Sequence, residues 1–344
     1  MTKHPKEAER LKKLVKSLPN VTIAVVGDLV ADEFIFGEIS RVSREAPVLI
    51  LKHRERTVLP GGAANAIYNL ASLEVNVLPV GVVGEDEPGR LLLREFRHKH
   101  IPLSGVLKDK SYTTVTKSRI LAGMTHTARQ QVVRIDREPE AEPSLHLQRE
   151  IIQGAREYAR IADVLLISDY GYGAASPAIL NAIRVRGRLD RVPVVLDSRY
   201  RILEYAGIAA ATPNEPEVEA ALGVKIGNDW QRLCSAGQAL MSRLKLQSLV
   251  ITRGRDGMAA FEGKRHPVDI PIFGSDQVAD VTGAGDTVIA TFSAAFAAGA
   301  STEEAAQLAN YAGGIVVMKR GTATVSQAEL LNALDQSPPM TRTH

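Results

Sequence analysis

Six short apolar runs recur along the chain, rich in small and β-branched residues, and most of them close on a polar side chain. They are "VTIAVVGDLVADEF" (21–34), "NVLPVGVVG" (76–84), "ADVLLISDYG" (162–171), "VPVVLDS" (192–198), "GIAAATPN" (207–214) and "SLVITRG" (248–254). Helical patterns lie between most of them, such as "AANAIYNLASL", "SLHLQREIIQGAREYARI", "PAILNAIRVRG", "EPEVEAALG" and "DWQRLCSAGQALMSRL". Strands alternating with helices imply βαβ units, hence a mostly parallel sheet with helices on both faces. This predicts a three-layer α/β fold. Two regions break the rhythm with looser alternation and many polar residues, about 34–60 and 111–138. They read as half-exposed strands of a small accessory sheet, a lid over a site.

A chain of 344 residues suits one large domain of this kind. The expected division is a charged helix over 1–20, a continuous domain over 21–335 carrying both lid segments, and a tail over 336–344. A net charge of +3 gives no reason to expect a nucleic-acid partner. The Arg-rich "IRVRGRLDR" (183–191) reads as an exposed helix end and turn. The one cysteine, Cys234, allows no disulfide framework and no thiolate metal site, which suits a reducing cytoplasm. The N-terminus lacks the apolar core of a signal peptide, and the longest apolar run, 288–300, is too short to span a bilayer.

The polar residues that end the strands are Asp28, Asp32, Asp169, Asp197, Asn214 and Thr252. Ligands of open α/β sheets bind outside the carboxyl ends of the strands, although Asp and Asn there also cap the following helix. A further stretch, "DVTGAGDTVIATFSAAFAAG" (280–299), sets three small residues and a carboxylate before an apolar helix. Helix N-termini carry unpaired N–H groups and partial positive charge, and small residues let an anion approach them. The amides of Gly283, Ala284 and Gly285 are thus candidates for an anion hole. Asp286 beside it is a candidate base, taking a proton from a hydroxyl that attacks phosphorus. Alone, the same stretch also reads as a turn with Asp as a cap. No G-x-x-x-x-G-K-[ST], no G-x-G-x-x-G after the first strand, no H-E-x-x-H and no G-x-S-x-G is present.

"DVTGAGDT" resembles the C-terminal signature of the ribokinase-like (PfkB) carbohydrate kinases, and "PGGAANAIYNLASLEVNVLPVGVVGEDEPG" (60–89) their N-terminal one. "TPNEPE" (212–217) is similar to their N-x-x-E motif and "ITRGRDG" (251–257) to their nucleotide-binding strand and turn. The motifs stand in family order. Within the family the likeness is greatest to the bacterial heptose 7-phosphate kinases of lipopolysaccharide precursor synthesis, through "GDLVADEFIFGEISRVSREAPV", "VTKSRILAG", "VVRIDRE", "LISDYGYGA" and "ANYAGGIVVMKRGTATVSQAEL". Many members of that group carry a fused nucleotidyltransferase domain, and this chain, ending sooner, is expected to be a stand-alone kinase. It departs from the group at Tyr172 and Arg199, where lysines are usual, and at Glu74, where a glycine is usual.

The resemblance implies a ribokinase-like fold and transfer of phosphate from Mg-ATP to a sugar hydroxyl, here O1 of D-glycero-D-manno-heptose 7-phosphate; other sugars or nucleosides are alternatives. It assigns the base to Asp286 and sugar contacts to Asp32, Gly61, Gly62, Asn65 and Asp169. Lys117, Arg119 and Arg134 become candidates for a substrate phosphate. Asn214 and Glu217 would hold the nucleotide phosphates, with Glu217 acting on magnesium through water. Thr252, Gly254, Gly257 and Asn310 would line the nucleotide groove. Asp280 and Gly321 fall where many members bind a monovalent cation, K+ among them. A homodimer through the lid is also implied. Rival readings from other classes are a catalytically silent sugar-nucleotide sensor, against which the intact motifs argue, and a nicotinamide-dependent dehydrogenase, against which the missing glycine fingerprint argues.

Overall fold

The computed structural model describes residues 4–123, 130–185, 192–274, 280–319, 321–336 and 341–342. Residues 186–191 of the Arg-rich stretch, 124–129 of the second lid segment, and 337–340 and 343–344 of the tail lie outside the described residues.

The chain opens with α1 (His4–Ser17) and β1 (Thr22–Gly27), passes Asp28, and enters two long strands, β2 (Leu29–Val42) and β3 (Leu49–Gly62). Then come α2 (Ala63–Ser72), β4 (Asn76–Gly84), α3 (Glu87–His98), β5 (Val106–Asp109), β6 (Val115–Gly123) and β7 (Gln130–Arg137). The middle of the chain forms α4 (Leu145–Ala159), β8 (Val164–Asp169), α5 (Pro177–Val185), β9 (Val194–Ser198), β10 (Ala210–Ala211), α6 (Glu215–Leu222) and α7 (Trp230–Leu244). It closes with β11 (Ser248–Thr252), β12 (Met258–Glu262), β13 (Val268–Ile270), α8 (Ala284–Ala297), α9 (Thr302–Val317) and α10 (Gln327–Gln336).

Nine strands form the central sheet in the order β13-β12-β11-β10-β9-β8-β1-β4-β5. All pairs are parallel except those of β12 and β13, which turn back at one edge. Side chains alternate across a strand, so a run buried on both sides feeds two cores. Val25, Leu166 and Val250 pack with α1, α2, α3, α8, α9 and α10 through Leu14, Ile67, Leu92, Ile289, Leu308 and Leu330. Val26, Ile167 and Leu249 pack with α4 to α7 through Ile151, Ile179, Val218 and Leu233. The result is the expected three-layer ribokinase-like architecture. Among the described residues, no helix is long and apolar enough to cross a membrane.

The second sheet has the order β3-β2-β6-β7, with β2 and β6 parallel and the other pairs antiparallel. It starts earlier than the sequence indicated. The run over 21–34 splits at Asp28, and everything from Leu29 onward belongs to the small sheet. Asp32 therefore stands on a lid strand rather than at the end of a core strand. The root of this sheet is buried and its far end exposed, and every residue of β7 is exposed.

Candidate functional site

The carboxylates at the strand ends divide into two groups. Asp28 accepts the backbone N–H groups of Tyr170, Tyr172 and Ala174 and so pins the loop after β8. Burial pushes its carboxyl up to about 6. Asp169 is also structural, contrary to the expected sugar contact. Its oxygens take hydrogen bonds from Arg201, Ser198, Tyr205 and the Gly171 amide, and it lines neither cavity described below. A strand-end carboxylate ringed by donors is a loop clasp, and nothing in "LISDYG" distinguishes that from a ligand site.

Asp286 lies in the first turn of α8. Helices α3, α4, α6, α7 and α9 begin on side-chain caps: Asp86, Ser144, Asn214, Asp229 and Ser301. Helix α8 begins instead on Gly283, with φ 78° and no side-chain cap. That φ is one an L side chain rarely adopts, and a Cβ there would also lie 2.4 Å from Asn65 Nδ2. Of the three amides expected to face an anion, Ala284's donates to the Val281 carbonyl at 3.2 Å. The N–H groups of Gly283, Gly285 and Asp286 have no acceptor among the described residues. A Cβ at Gly285 would meet open space.

The Asp286 carboxylate is held from two sides. Asn65 Nδ2 donates to Oδ2 at 2.9 Å and to the Gly283 carbonyl at 3.2 Å. Asn69 bonds Asn65 and takes a hydrogen bond from Thr287, closing a buried network between α2 and α8. Tyr170 OH donates to Oδ1. Burial pushes the Asp286 carboxyl up to about 6, against the pull of both donors. No sequence pattern nominated Tyr170, because its role depends on β8 ending opposite α8.

A cavity of about 390 Å³ opens above this carboxylate, between the central sheet and the lid. From the lid, Asp32, Lys117, Arg119 and Arg134 line it. Asp32 and Arg119 form an ion pair at 2.6 Å, and Arg134 binds Asp136 through two nitrogens at 2.6 and 2.7 Å. Burial raises the Asp32 pKa while Arg119 opposes the rise. A Cβ at Gly61 would lie 2.5 Å from Asp32 Oδ2, so glycine there admits the carboxylate. Lys117 lies over the rings of Tyr170 and Tyr172, 5.5 and 5.8 Å from their centroids, and its side chain forms no direct ion pair among the described residues, although Asp32 and Asp136 attract it from farther away. Burial, with Arg199 and Arg134 nearby, lowers its pKa. Arg199, on the opposite wall, likewise forms no direct ion pair among the described residues, although it lies near enough to Asp197 and Glu217 to oppose the rise of their pKa values.

Asn214 and Glu217 reach the same cavity, together with Asp197. The N-x-x-E pair forms a reciprocal cap on α6: each side chain accepts the other residue's amide at 2.9 Å. Asn214 precedes the helix, so the two meet through the cap. Burial raises the pKa of Glu217 and, more strongly, of Asp197, to which Glu217 and Asp286 add repulsion.

A second cavity, of about 550 Å³, shares Thr252, Val281 and Gly285 with the first and is otherwise mostly apolar. Gly254, Gly257, Met258, Val288, Gly313, Gly314 and Val317 line it, and Asn310, whose amide donates to the Pro271 carbonyl at 2.8 Å, closes one wall. Asp280 and Gly321 line neither cavity. Asp280 accepts the Thr282 and Gly321 amides at 2.9 and 3.1 Å and so ties two segments together beside the start of α8.

The pfkB family carbohydrate kinase profile matches residues 22–329. The chain belongs to that family. It is 40% identical over 329 residues to the bifunctional protein HldE of Geobacter metallireducens, a match covering 95% of this chain and 66% of that protein. With HldE of Gluconobacter oxydans the identity is 37% over 321 residues, covering 93% and 65%. The chain thus spans about two thirds of the length of these relatives. Among solved structures it resembles Arabidopsis thaliana ribokinase complexed with ribose and ATP, with a TM-score of 0.69 and 22% identity over 92% of this chain and 99% of that one. It also resembles Escherichia coli phosphofructokinase-2, with a TM-score of 0.75 and 16% identity over the same shares. At such identities the likeness is one of fold.

Proposed function

We propose that the chain transfers the γ-phosphate of Mg-ATP to O1 of D-glycero-D-manno-heptose 7-phosphate, a step in lipopolysaccharide precursor synthesis. The observation that carries the reading is Asp286: a buried carboxylate beside three amides that have no acceptor among the described residues, where a polar and an apolar cavity meet. The apolar cavity takes the adenosine, walled by Asn310, Gly254 and Gly257. The sugar lies in the polar one, against Asp32 and Gly62, while Asn65, expected beside it, lies behind the cavity and holds Asp286. Asp286 accepts the proton of the attacking hydroxyl as its oxygen bonds to the γ-phosphorus and the bond from that phosphorus to ADP breaks. The amides of Gly283, Gly285 and Asp286 face the charge on the transferring group. Ala284 drops out of this set because its amide is already bonded.

Magnesium, when bound, neutralises phosphate charge. Glu217 fits as its water-mediated holder, since one carboxylate suffices for an ion that keeps most of its waters. A potassium ion would find the carboxylate of Asp280 and the backbone near Gly321 beside α8. A sugar that already carries a phosphate is favoured by Lys117 and Arg199, the cavity cations that form no direct ion pair among the described residues, in place of Arg119 and Arg134, which do. The exposed Val132, Val133 and Ile135 of β7 fit a homodimer formed through the lid. The reading places the enzyme in the cytoplasm. ADP release measured over a panel of sugars and sugar phosphates tests it. Heptose 7-phosphate should give the highest kcat/KM, and a better unphosphorylated sugar would refute the substrate assignment.

A further inference from the structure

Tyr170 belongs to none of the sequence motifs assigned a role above, yet it touches the group on which the proposed chemistry turns. Its hydroxyl donates to Asp286 Oδ1, the oxygen that Asn65 does not bind. Its backbone N–H is fixed by Asp28 Oδ2 at 2.8 Å, so the residue is held from behind by a buried carboxylate. The Lys117 ammonium lies over its ring, 5.5 Å from the centroid. The phenol therefore sits among the lid, the loop after β8 and α8.

We infer that Tyr170 is a positioning residue for the base, orienting the Asp286 carboxylate and keeping it ionised through a hydroxyl that always donates. The inference rests on Asp286 being the base. The groups facing Asp286 are Asn65 from α2, Asp32 from β2, Lys117 from β6, Tyr170 from the loop after β8 and Asp197 from β9. Asp32 favours its protonation, Lys117 opposes it, and Asn65 and Tyr170 supply the direct donors, while Asp286 in turn pushes the Asp197 carboxyl up. Burial, with Asp286 and Asp197 nearby, drives the Tyr170 hydroxyl upward from its ordinary value, so it stays a donor throughout the working range. A hydrogen bond to a carboxylate favours the charged form, so removing it raises the pKa of the acid.

Tyr170→Phe deletes one oxygen and keeps the ring under Lys117. The test is the pH profile of kcat/KM for this variant beside wild type and Asp286→Asn. Wild type should lose activity as pH falls through about 6, where Asp286 takes up its proton. In Tyr170→Phe that acid limb moves up by about one pH unit, the size of one lost charge-assisted hydrogen bond. Turnover then falls about fivefold at pH 6 and recovers by about pH 8.5, with KM for ATP unchanged. A fluorotyrosine placed at position 170, a stronger donor, moves the limb the other way. An unmoved limb in both variants, or a loss uniform across pH, overturns the inference. If Asp286→Asn keeps its activity, the assignment of the base fails instead, so the two failures are told apart.

Discussion

The polar and the apolar cavity share Thr252, Val281 and Gly285 as a common wall, yet they are assembled differently. The apolar one is made largely of consecutive stretches: the turn after β11, the start of α8 and one face of α9. Its walls are mostly uncharged, with Arg255 the exception among the lining residues. The polar one draws side chains from β2, β6, β7, β9, α6, α8 and the loop after β8, and among its charged residues Asp32 and Arg119 bind one another while Arg134 binds Asp136. Shape can be set by a short segment. Electrostatics has to be set by convergence, because each charge needs a partner or a desolvation penalty is incurred. The contrast predicts that substitutions in the apolar half change nucleotide affinity, while those in the polar half, apart from Asn214 and Glu217 on the magnesium side, change turnover or sugar selectivity.

The shared wall should be the most sensitive point. Gly285→Val puts a side chain into open space where both cavities meet, so the fold should survive while turnover drops by about 100-fold or more through misplacement of the reacting groups. An unchanged melting temperature with lost turnover supports this; retained turnover breaks the picture of one continuous site. On the polar side, Lys117→Met should raise KM for a phosphorylated sugar by about 10- to 100-fold, the range of one charge-assisted contact. KM for ATP should hardly move in the same steady-state assay. On the apolar side Asn310→Ala, which removes the donor to Pro271, should raise the dissociation constant of ATP by about tenfold or less. A sugar KM that rises with it would erase the distinction between the halves.

The way the two halves are built also decides what the sequence discloses. Gly254, Gly257 and Asn310 stand in contiguous motifs, and the structure brings them to one cavity. "GAGD" disclosed the start of α8, but not that Ala284's amide folds back onto Val281. Asp28, Asp32 and Asp169 look alike in sequence, each an acid near the end of an apolar run. Only the third dimension shows one clasping a loop, one paired with Arg119 across the lid, and one ringed by Arg201 and Tyr205. N-x-x-E disclosed a pair at a helix start, and its reciprocal cap is a local consequence the spacing allowed. Tyr170 was invisible because its partner is 116 residues away. The switch from β1 to the lid at Asp28 was missed because the apolar run continues through it unbroken in character.

On the proposed reading, Asp286 performs the chemistry while the apolar half only holds the nucleotide. The most direct test measures Mg-ATP binding and ADP release together on Asp286→Asn. Binding should stay close to wild type and turnover should fall by about 100- to 10,000-fold, the usual worth of a general base. Turnover that persists, or nucleotide binding lost in the same proportion, would contradict it.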